Sequence, residues 1–188
     1  MRKIMVFNNV SVDGFFAGVD GNLNWITADD ESDKFAVEQT RDSRTLLFGR
    51  TTYQMFERFW PAALKDPRTS RDNRELAQNI NDAEKIVFSK ALEKVTWNNS
   101  RLLKEIDPAE IKKLKQEPGK DMVILGSGTI VQAMTNLNLI DEYQLMVNPV
   151  ILGKGKPLFK DMKDMVNLRL LTTRTLKNGK VLLSYQIT

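Results

Sequence analysis

The clearest indication of the fold is the stretch Val123-Ile124-Leu125-Gly126-Ser127-Gly128-Thr129. A short apolar run ends at a glycine, and a sequence compatible with a helix follows it to residue 137. Earlier in the chain, the stretch Leu46-Leu47-Phe48-Gly49-Arg50-Thr51-Thr52 has the same form. A buried strand followed by a glycine turn and a helix is typical of a parallel sheet that is covered by helices.

The segments around these two stretches continue the alternation. Apolar runs predict buried strands at residues 2–10, 44–48 and 85–88, and helices are predicted from residue 29 or 32 to 42 and over 51–59, 73–80 and 109–116. Residues 61–73 read as polar and irregular. After residue 141 the pattern changes to three β-rich stretches, at 142–152, 168–175 and 180–187, and Asn178-Gly179 predicts a hairpin. The sequence therefore predicts a single α/β domain over residues 1–188. Its central sheet is mixed but mainly parallel, with helices on both faces and antiparallel C-terminal strands.

The composition excludes many kinds of site, because the 188 residues include no Cys and no His. Disulfides, thiolate nucleophiles, iron–sulfur clusters and cysteine or histidine zinc sites are ruled out. Ser-His-Asp and Cys-His catalysis are ruled out as well. An enzyme of this composition must use carboxylates, Lys, Tyr, water, a carboxylate-held metal or an organic cofactor, and no metal site is predicted.

The net charge of +4 is unevenly distributed along the chain. From residue 151 onward there are eight Lys or Arg against two Asp or Glu. This surplus is either a solvated basic face or an attraction for an anion, such as a phosphate-bearing ligand or a nucleic acid. Aromatic residues are not interleaved with these lysines, so nucleic acid is the less favoured partner. No apolar run approaches the ~18 residues that span a bilayer, so we expect no membrane contact and a cytoplasmic location.

The two glycine turns are the first candidate site. In a parallel sheet, ligands bind at the carboxyl ends of strands, where a helix start offers free N–H groups. Two such turns favour a ligand with a pyrophosphate, although ordinary turn chemistry explains either one alone, and neither matches a Walker A or G-x-G-x-x-G loop. Arg50 follows one strand and Ser89-Lys90 follows another, so these three residues could hold a phosphate. A surface salt bridge is the alternative role for Arg50.

The loop over residues 11–28, called the lid loop below, is the second candidate. It contains Ser11-Val12-Asp13-Gly14, Asp20-Gly21 and Trp25, together with two phenylalanines. Such a loop could close over a ligand and exclude water, or be an ordinary surface loop with two turns. The loop over residues 149–159 contains two glycines, which a bend in or after a strand explains. Solvation explains the lysines of this loop.

These motifs, taken in order, resemble the dihydrofolate reductase-like superfamily. The set comprises Ser11-x-Asp13-Gly14, Gly49-Arg50-x-Thr52, Gly126-Ser127-Gly128-Thr129, Asp141-Glu142 and Pro149-x-x-Leu152-Gly153-x-Gly155-x-Pro157-Leu158-Phe159. The resemblance is to the branch related to the C-terminal reductase domain of the riboflavin-biosynthesis deaminase/reductase. It implies a dihydrofolate reductase-like α/β fold, NADPH as cofactor and a homodimer. It also implies that Gly49, Arg50, Thr51, Thr52, Ser89 and Lys90 hold the adenosine phosphates, and that Gly126, Ser127, Gly128 and Thr129 receive the pyrophosphate.

The resemblance leaves the substrate and the proton donor open. Folate reductases grip the pteridine with an acidic residue on the first helix, for which Asp33 and Glu38 are the candidates here. The riboflavin-type domain often has a Lys after Asp-Gly in the first loop, where this chain has Phe15. Trp25 is assigned to the lid near the nicotinamide. Asp13 is the best candidate for a proton donor, although Asp before Gly is also good turn chemistry.

Three functions follow as hypotheses. The first is an NADPH-dependent reductase that transfers a hydride to a small heterocycle of the pterin, folate or riboflavin-pathway pyrimidine type. The alternative is a non-catalytic nucleotide-binding or regulatory module of the same fold. The third is a nucleic-acid binder that uses the basic C-terminal region. Cofactor oxidation with a panel of heterocycles distinguishes the first from the second, and salt-dependent binding of nucleic acid identifies the third.

Overall fold

The structure is a computed structural model that describes residues 1–27, 29–41 and 45–188. The predicted ends of the lid loop at Ala28 and of the first helix at Asp42, and the predicted strand start at Arg44, lie outside these residues. The strands are β1 Ile4–Ser11, β2 Phe15–Ala17, β3 Thr45–Gly49, β4 Lys85–Phe88, β5 Ser100–Leu103, β6 Met122–Leu125, β7 Glu142–Asn148, β8 Lys156–Pro157, β9 Leu168–Thr175 and β10 Val181–Ile187. The helices are α1 Asp30–Thr40, α2 Arg50–Lys65, α3 Arg71–Asp82, α4 Pro108–Gln116 and α5 Gly128–Asn136.

An eight-stranded sheet has the order β5-β4-β3-β6-β1-β7-β10-β9. The strands from β5 to β7 in that order are parallel. β10 then pairs antiparallel with β7, and β9 antiparallel with β10. This arrangement confirms the predicted fold class, a mainly parallel sheet with antiparallel C-terminal strands.

Helices cover both faces of the sheet. Residues of α4 and α5, such as Ile111 and Val131, share one core with Ile4 of β1. Residues of α2 and α3 form the other core with Leu46 and Val123. Successive strand residues point to opposite faces, so strands covered on both sides must be apolar at every position. This requirement explains the apolar runs at residues 46–48 of β3, 86–88 of β4 and 122–125 of β6.

α2 and α3 are both longer than predicted, and both extend into residues 61–73, which the sequence predicted to be irregular. The sequence predicts a helix end at residue 59, but α2 continues through Pro61 to Lys65. The guanidinium of Arg74 in α3 donates to the carbonyl oxygens of Leu64 at 3.1 Å and Asp66 at 3.1 Å, which satisfies backbone acceptors where α2 ends. The stabilising contact comes from the next helix, so the local pattern around Pro61 does not contain it.

The lid loop is more ordered than predicted, because it contains β2. This short strand pairs antiparallel with β8, with Phe15 opposite Pro157 and Ala17 opposite Lys156. The predicted strand over 142–152 ends at Asn148, and the rest of that stretch turns toward the lid loop. Among the described residues, no helix is both long enough and apolar enough to cross a membrane.

Candidate functional site

A cavity of about 580 Å³ opens at the carboxyl ends of the central strands. The turns after β3 and β6 form one wall of the cavity, and the end of β1 forms its floor. The lid loop and the faces of α1, α2 and α3 line the rest. Its volume falls within the roughly 300–1,000 Å³ of small-molecule sites. The cavity lies where the topology of a parallel sheet predicts a ligand.

The two glycine turns are hydrogen-bonded to each other at this wall. The amide of Gly49 donates to Oγ of Ser127 at 2.9 Å, and the amide of Ser127 donates to Oγ1 of Thr52 at 3.1 Å. Ser127 has φ 56° and ψ 56°, a left-handed conformation that is uncommon outside glycine. Every turn residue that the sequence singled out, Gly49, Arg50, Thr51, Thr52, Gly126, Ser127, Gly128 and Thr129, lines the cavity.

The helices that start at these turns lack the caps that the other helices have. Asp29, Ser70 and Asp107 accept hydrogen bonds from the first backbone amides of α1, α3 and α4. Gly49 has no side chain to cap α2, and the Ser127 side chain makes no capping hydrogen bond to α5, although the Ser127 carbonyl oxygen accepts from the amide of Ile130 at 2.8 Å. The first amides of a helix have no intrahelical acceptor, so α2 and α5 present unsatisfied donors to the cavity.

Arg50, Ser89 and Lys90 follow neighbouring strands, but only Arg50 belongs to the described cavity lining. Gly49 is paired with Phe88 across β3 and β4, so the residues that follow both strands leave the same edge of the sheet. The Ser89 hydroxyl oxygen accepts from the amides of Ala91 and Leu92 at 3.2 and 3.1 Å. The predicted phosphate site at these three residues stays a prediction, with Arg50 the member at the cavity.

The lid loop is fastened to the loop over residues 149–159. The carboxylate of Asp13 accepts from the amides of Leu152 at 3.1 Å and Gly153 at 2.7 Å. The amide of Val12 also donates to the carbonyl of Val150 at 2.9 Å. These contacts and the β2–β8 pairing make the two loops one cover over the cavity.

The contacts of Asp13 favour the turn role that the sequence also offered, and its role as proton donor stays a prediction. A hydrogen bond with the Ser11 side chain, with those from the amides of Leu152 and Gly153, lowers the pKa of Asp13. A carboxyl group that donates a proton at neutral pH needs a raised pKa instead. Asp13 also lies outside the described lining. A structural role, in which Asp13 fastens the lid loop to the loop over residues 149–159, accounts for its contacts.

The predicted substrate residues Trp25 and Asp33 lie outside the described lining too. Burial raises the pKa of Asp33, and the charge of Asp29 raises it further. Ala36 and Thr40, farther along the same helix, do line the cavity, while Glu38 is exposed. The described lining therefore contains no Asp or Glu to grip a pteridine, and the roles of Trp25 and Asp33 stay predictions.

Sequence reasoning did not assign Asn8, Trp60 and Lys156, all of which line the cavity. Asn8 is only 3% exposed, and its Oδ1 accepts no hydrogen bond. A polar Asn8-Asn9 pair at the end of an apolar strand was the available signal for it. Trp60 was missed because α2 was predicted to end at residue 59, and Lys156 because its loop read as solvated.

The arrangement of strands, turns and lid agrees with a known family. The sequence profile of the family described as the RibD C-terminal domain matches residues 2–182. The chain belongs to this family. The match spans both glycine turns, the lid loop and the 149–159 loop, so the family assignment covers the whole of the described cavity.

Individual proteins are similar to this chain in sequence or in fold. The uncharacterized protein YyaP of Bacillus subtilis (strain 168) is 33% identical over 184 residues, which cover 98% of this chain and 94% of that protein. The fold is similar to a pyrimidine reductase-like protein from Corynebacterium diphtheriae, with a TM-score of 0.65, 16% identity and coverage of 100% of this chain and 92% of that one. It is also similar to a diaminohydroxyphosphoribosylaminopyrimidine deaminase/5-amino-6-(5-phosphoribosylamino)uracil reductase from Thermotoga maritima. That TM-score is 0.67 at 14% identity, over 100% of this chain and 57% of the other.

Proposed function

We propose that this chain is an NADPH-dependent reductase that transfers a hydride to a small heterocycle, with a pyrimidine as the first candidate. The observation that carries the proposal is the pair of uncapped helix starts, α2 and α5, that are joined through Gly49 and Ser127 at the cavity wall. Family membership supports a reductase, and the absence of His and Cys fits chemistry supplied by an organic cofactor.

The residues at the cavity suit a dinucleotide phosphate. The first amides of α5 offer donors for a pyrophosphate, and the positive end of each helix dipole favours an anion. Arg50 adds a planar cation at the start of α2. Asn8 offers an unpartnered buried acceptor at the strand end, which an amide N–H of a ligand would satisfy. When bound, NADPH would supply the hydride, and the chain's own residues orient the reactants and exclude water.

The cavity favours a pyrimidine over a pterin or a folate. The described lining holds no carboxylate, and its charged members are Arg50 and Lys156. A folate-type site would instead need an acid at the first helix, where Ala36 and Thr40 line the cavity. The fold is similar to that of the Thermotoga maritima uracil reductase, and the name of that protein gives a pyrimidine substrate to test here.

The test combines binding with turnover. Isothermal titration of the purified chain should show NADPH binding tighter than NADH. Loss of absorbance at the NADPH band should then follow with 5-amino-6-(5-phosphoribosylamino)uracil and not with 7,8-dihydrofolate. Binding of NADPH without oxidation by any member of a pyrimidine and pterin panel would favour the non-catalytic nucleotide-binding module. Failure of NADPH to bind would overturn the proposal.

A further inference from the structure

Lys156 lies where the lid loop borders the cavity. It belongs to β8, which pairs with β2 of the lid loop, opposite Ala17. Its ammonium lies against Gly21, where a Cβ would come within 3.1 Å of Nζ. Because Gly21 has no Cβ, it leaves the space that the ammonium occupies, and its φ of +89° is a conformation that other residues rarely adopt. Both Gly21 and Lys156 line the cavity.

The positive charge of Lys156 interacts with Asp20 of the lid loop. A hydrogen bond from the amide of Asn22, one from its side chain and the positive charge of Lys156 together lower the pKa of Asp20. Asp20 itself is outside the described lining, so its carboxylate does not share the cavity surface with the ammonium. Lys156 is exposed, which leaves it open to exchange protons with solvent.

The chemistry of a reductase needs a proton as well as a hydride. Among the described lining residues there is no Asp, Glu, Tyr, His or Cys, so the ordinary acids of proteins are missing from this surface. The hydroxyls of serine and threonine are too weakly acidic for this role, and an arginine does not release its proton in proteins. A lysine ammonium is the remaining side chain there that both carries a positive charge and can give up a proton.

We propose that Lys156 is the proton donor and charge-stabilising residue for the substrate in this cavity, an inference that rests on the proposed reductase function. As a hydride from NADPH forms a C–H bond with the acceptor carbon, the π electron pair of its C=O or C=N bond moves to the heteroatom. That heteroatom takes a proton from the Lys156 ammonium. NADP⁺ and the reduced substrate are the products, and the neutral amine regains its proton from water. This role replaces the one predicted for Asp13.

The first test measures binding rather than turnover. Barbiturate, a flat pyrimidine anion, mimics the charge that develops on the substrate, and it is titrated into the NADP⁺ complex by calorimetry. Lys156→Met should weaken barbiturate binding about 10- to 100-fold, the effect of losing a hydrogen bond to a charged group. Lys156→Arg keeps the charge and should bind barbiturate nearly as well as the wild type. Lys154→Met, an exposed lysine of the same loop outside the lining, is the matched control and should change nothing.

The second test separates charge from proton transfer. In single turnover with NADPH and 5-amino-6-(5-phosphoribosylamino)uracil, both Lys156→Met and Lys156→Arg should be slow, and added ethylammonium should restore part of the rate to Lys156→Ala. Equal barbiturate affinity in wild type and Lys156→Met would overturn the proposal, as would a wild-type complex that binds NADP⁺ but not barbiturate. Either result leaves the reductase function standing, whereas a failure to bind NADP⁺ itself contradicts that function.

Discussion

The ring of Phe16 in the lid loop lies directly against the backbone of Gly128, the first residue of α5. A Cβ at position 128 would come within 2.5 Å of Cε1 and 2.7 Å of Cζ of that ring. The glycine therefore lets the lid pack on the same helix start that presents its amides to the cavity. Closure of the lid and the geometry of the turn after β6 depend on one another at this contact.

Gly128→Ala should open the lid at this contact. Alanine is the better helix former, so local propensity alone would predict a more stable protein. The clash with Phe16 should instead cost about 1–3 kcal/mol, as overpacking does, and should weaken NADPH binding. Urea denaturation and calorimetric titration measure the two effects. In a Phe16→Ala background, where the clash is absent, Gly128→Ala should cost little further stability. A single Gly128→Ala variant as stable as wild type would contradict the contact.

Arg50→Ala should separate the two nicotinamide cofactors. NADPH differs from NADH by a 2′-phosphate, and a hydrogen bond to a charged group contributes about 1.5–3 kcal/mol, so NADPH binding should fall about 10- to 100-fold. NADH binding should change much less. Arg58→Ala, an exposed arginine of the same helix outside the described lining, is the control. Calorimetry that finds equal losses for both cofactors removes Arg50 from the phosphate site.

Ser127 can be probed by two substitutions with different consequences. Ser127→Ala leaves the buried amide of Gly49 without its acceptor, which should cost about 1–3 kcal/mol. Ser127→Gly loses the same hydrogen bond but tolerates the left-handed backbone, so it should be about 1 kcal/mol more stable than Ser127→Ala. Urea denaturation ranks the variants. If Ser127→Ala proves at least as stable as Ser127→Gly, the backbone strain at this position is not real.

The contact between Asp29 and Lys180 should make the free energy of unfolding depend on pH in the acid range. Lys180 is 1% exposed, and its Nζ donates to Oδ2 of Asp29 at 2.9 Å. Burial alone would raise the pKa of Asp29, but the hydrogen bonds from Ser32 and Lys180 outweigh it and lower the pKa from 3.8 to about 2. The unfolded chain thus takes up this proton at a higher pH than the folded chain does. The stabilisation is complete above about pH 4 and is lost as the pH falls toward 2.

Asp29→Asn tests this dependence. The shift corresponds to about 2 kcal/mol at neutral pH, and the variant should lose at least that much because Lys180 is left buried without its carboxylate. Its stability should also fall less steeply between pH 4 and 2 than that of the wild type. Asp30→Asn, at an exposed carboxylate of the same helix turn, is the control. Urea midpoints that change equally with pH in Asp29→Asn and wild type would refute the assignment.

We expect a homodimer that forms through β9. This strand is the edge of the sheet, and all of its residues are exposed, including Leu168 and Leu170. Natural proteins seldom leave such an edge uncovered, and two-fold dimers are the commonest assembly. Sedimentation should give twice the 21.5 kDa of one chain. Leu168→Lys with Leu170→Lys should give monomers, whereas the exposed Leu137→Lys should not; a wild-type monomer at micromolar concentration excludes the dimer.

The sequence by itself determined the strands of the parallel sheet, the two glycine turns and the hairpin at Gly179. Each of these follows from neighbours in the chain. A strand buried on both faces must be apolar throughout, and a tight turn needs a residue that tolerates φ of +84°, as Gly179 does. Because parallel strands end at one edge of the sheet, the turn residues could be assigned to a common site before their contacts were known.

Only the tertiary structure decided how α2 ends, what holds the lid loop and which charged groups reach the cavity. Arg74 supports α2 from another helix, and Asp13 binds Gly153, which lies 140 residues away in sequence. Lys156 enters the cavity because β8 pairs with β2, while Asp33 stays outside its described lining. These outcomes depend on contacts between distant segments. A local pattern of apolar and polar residues does not specify which distant segment will pack against it.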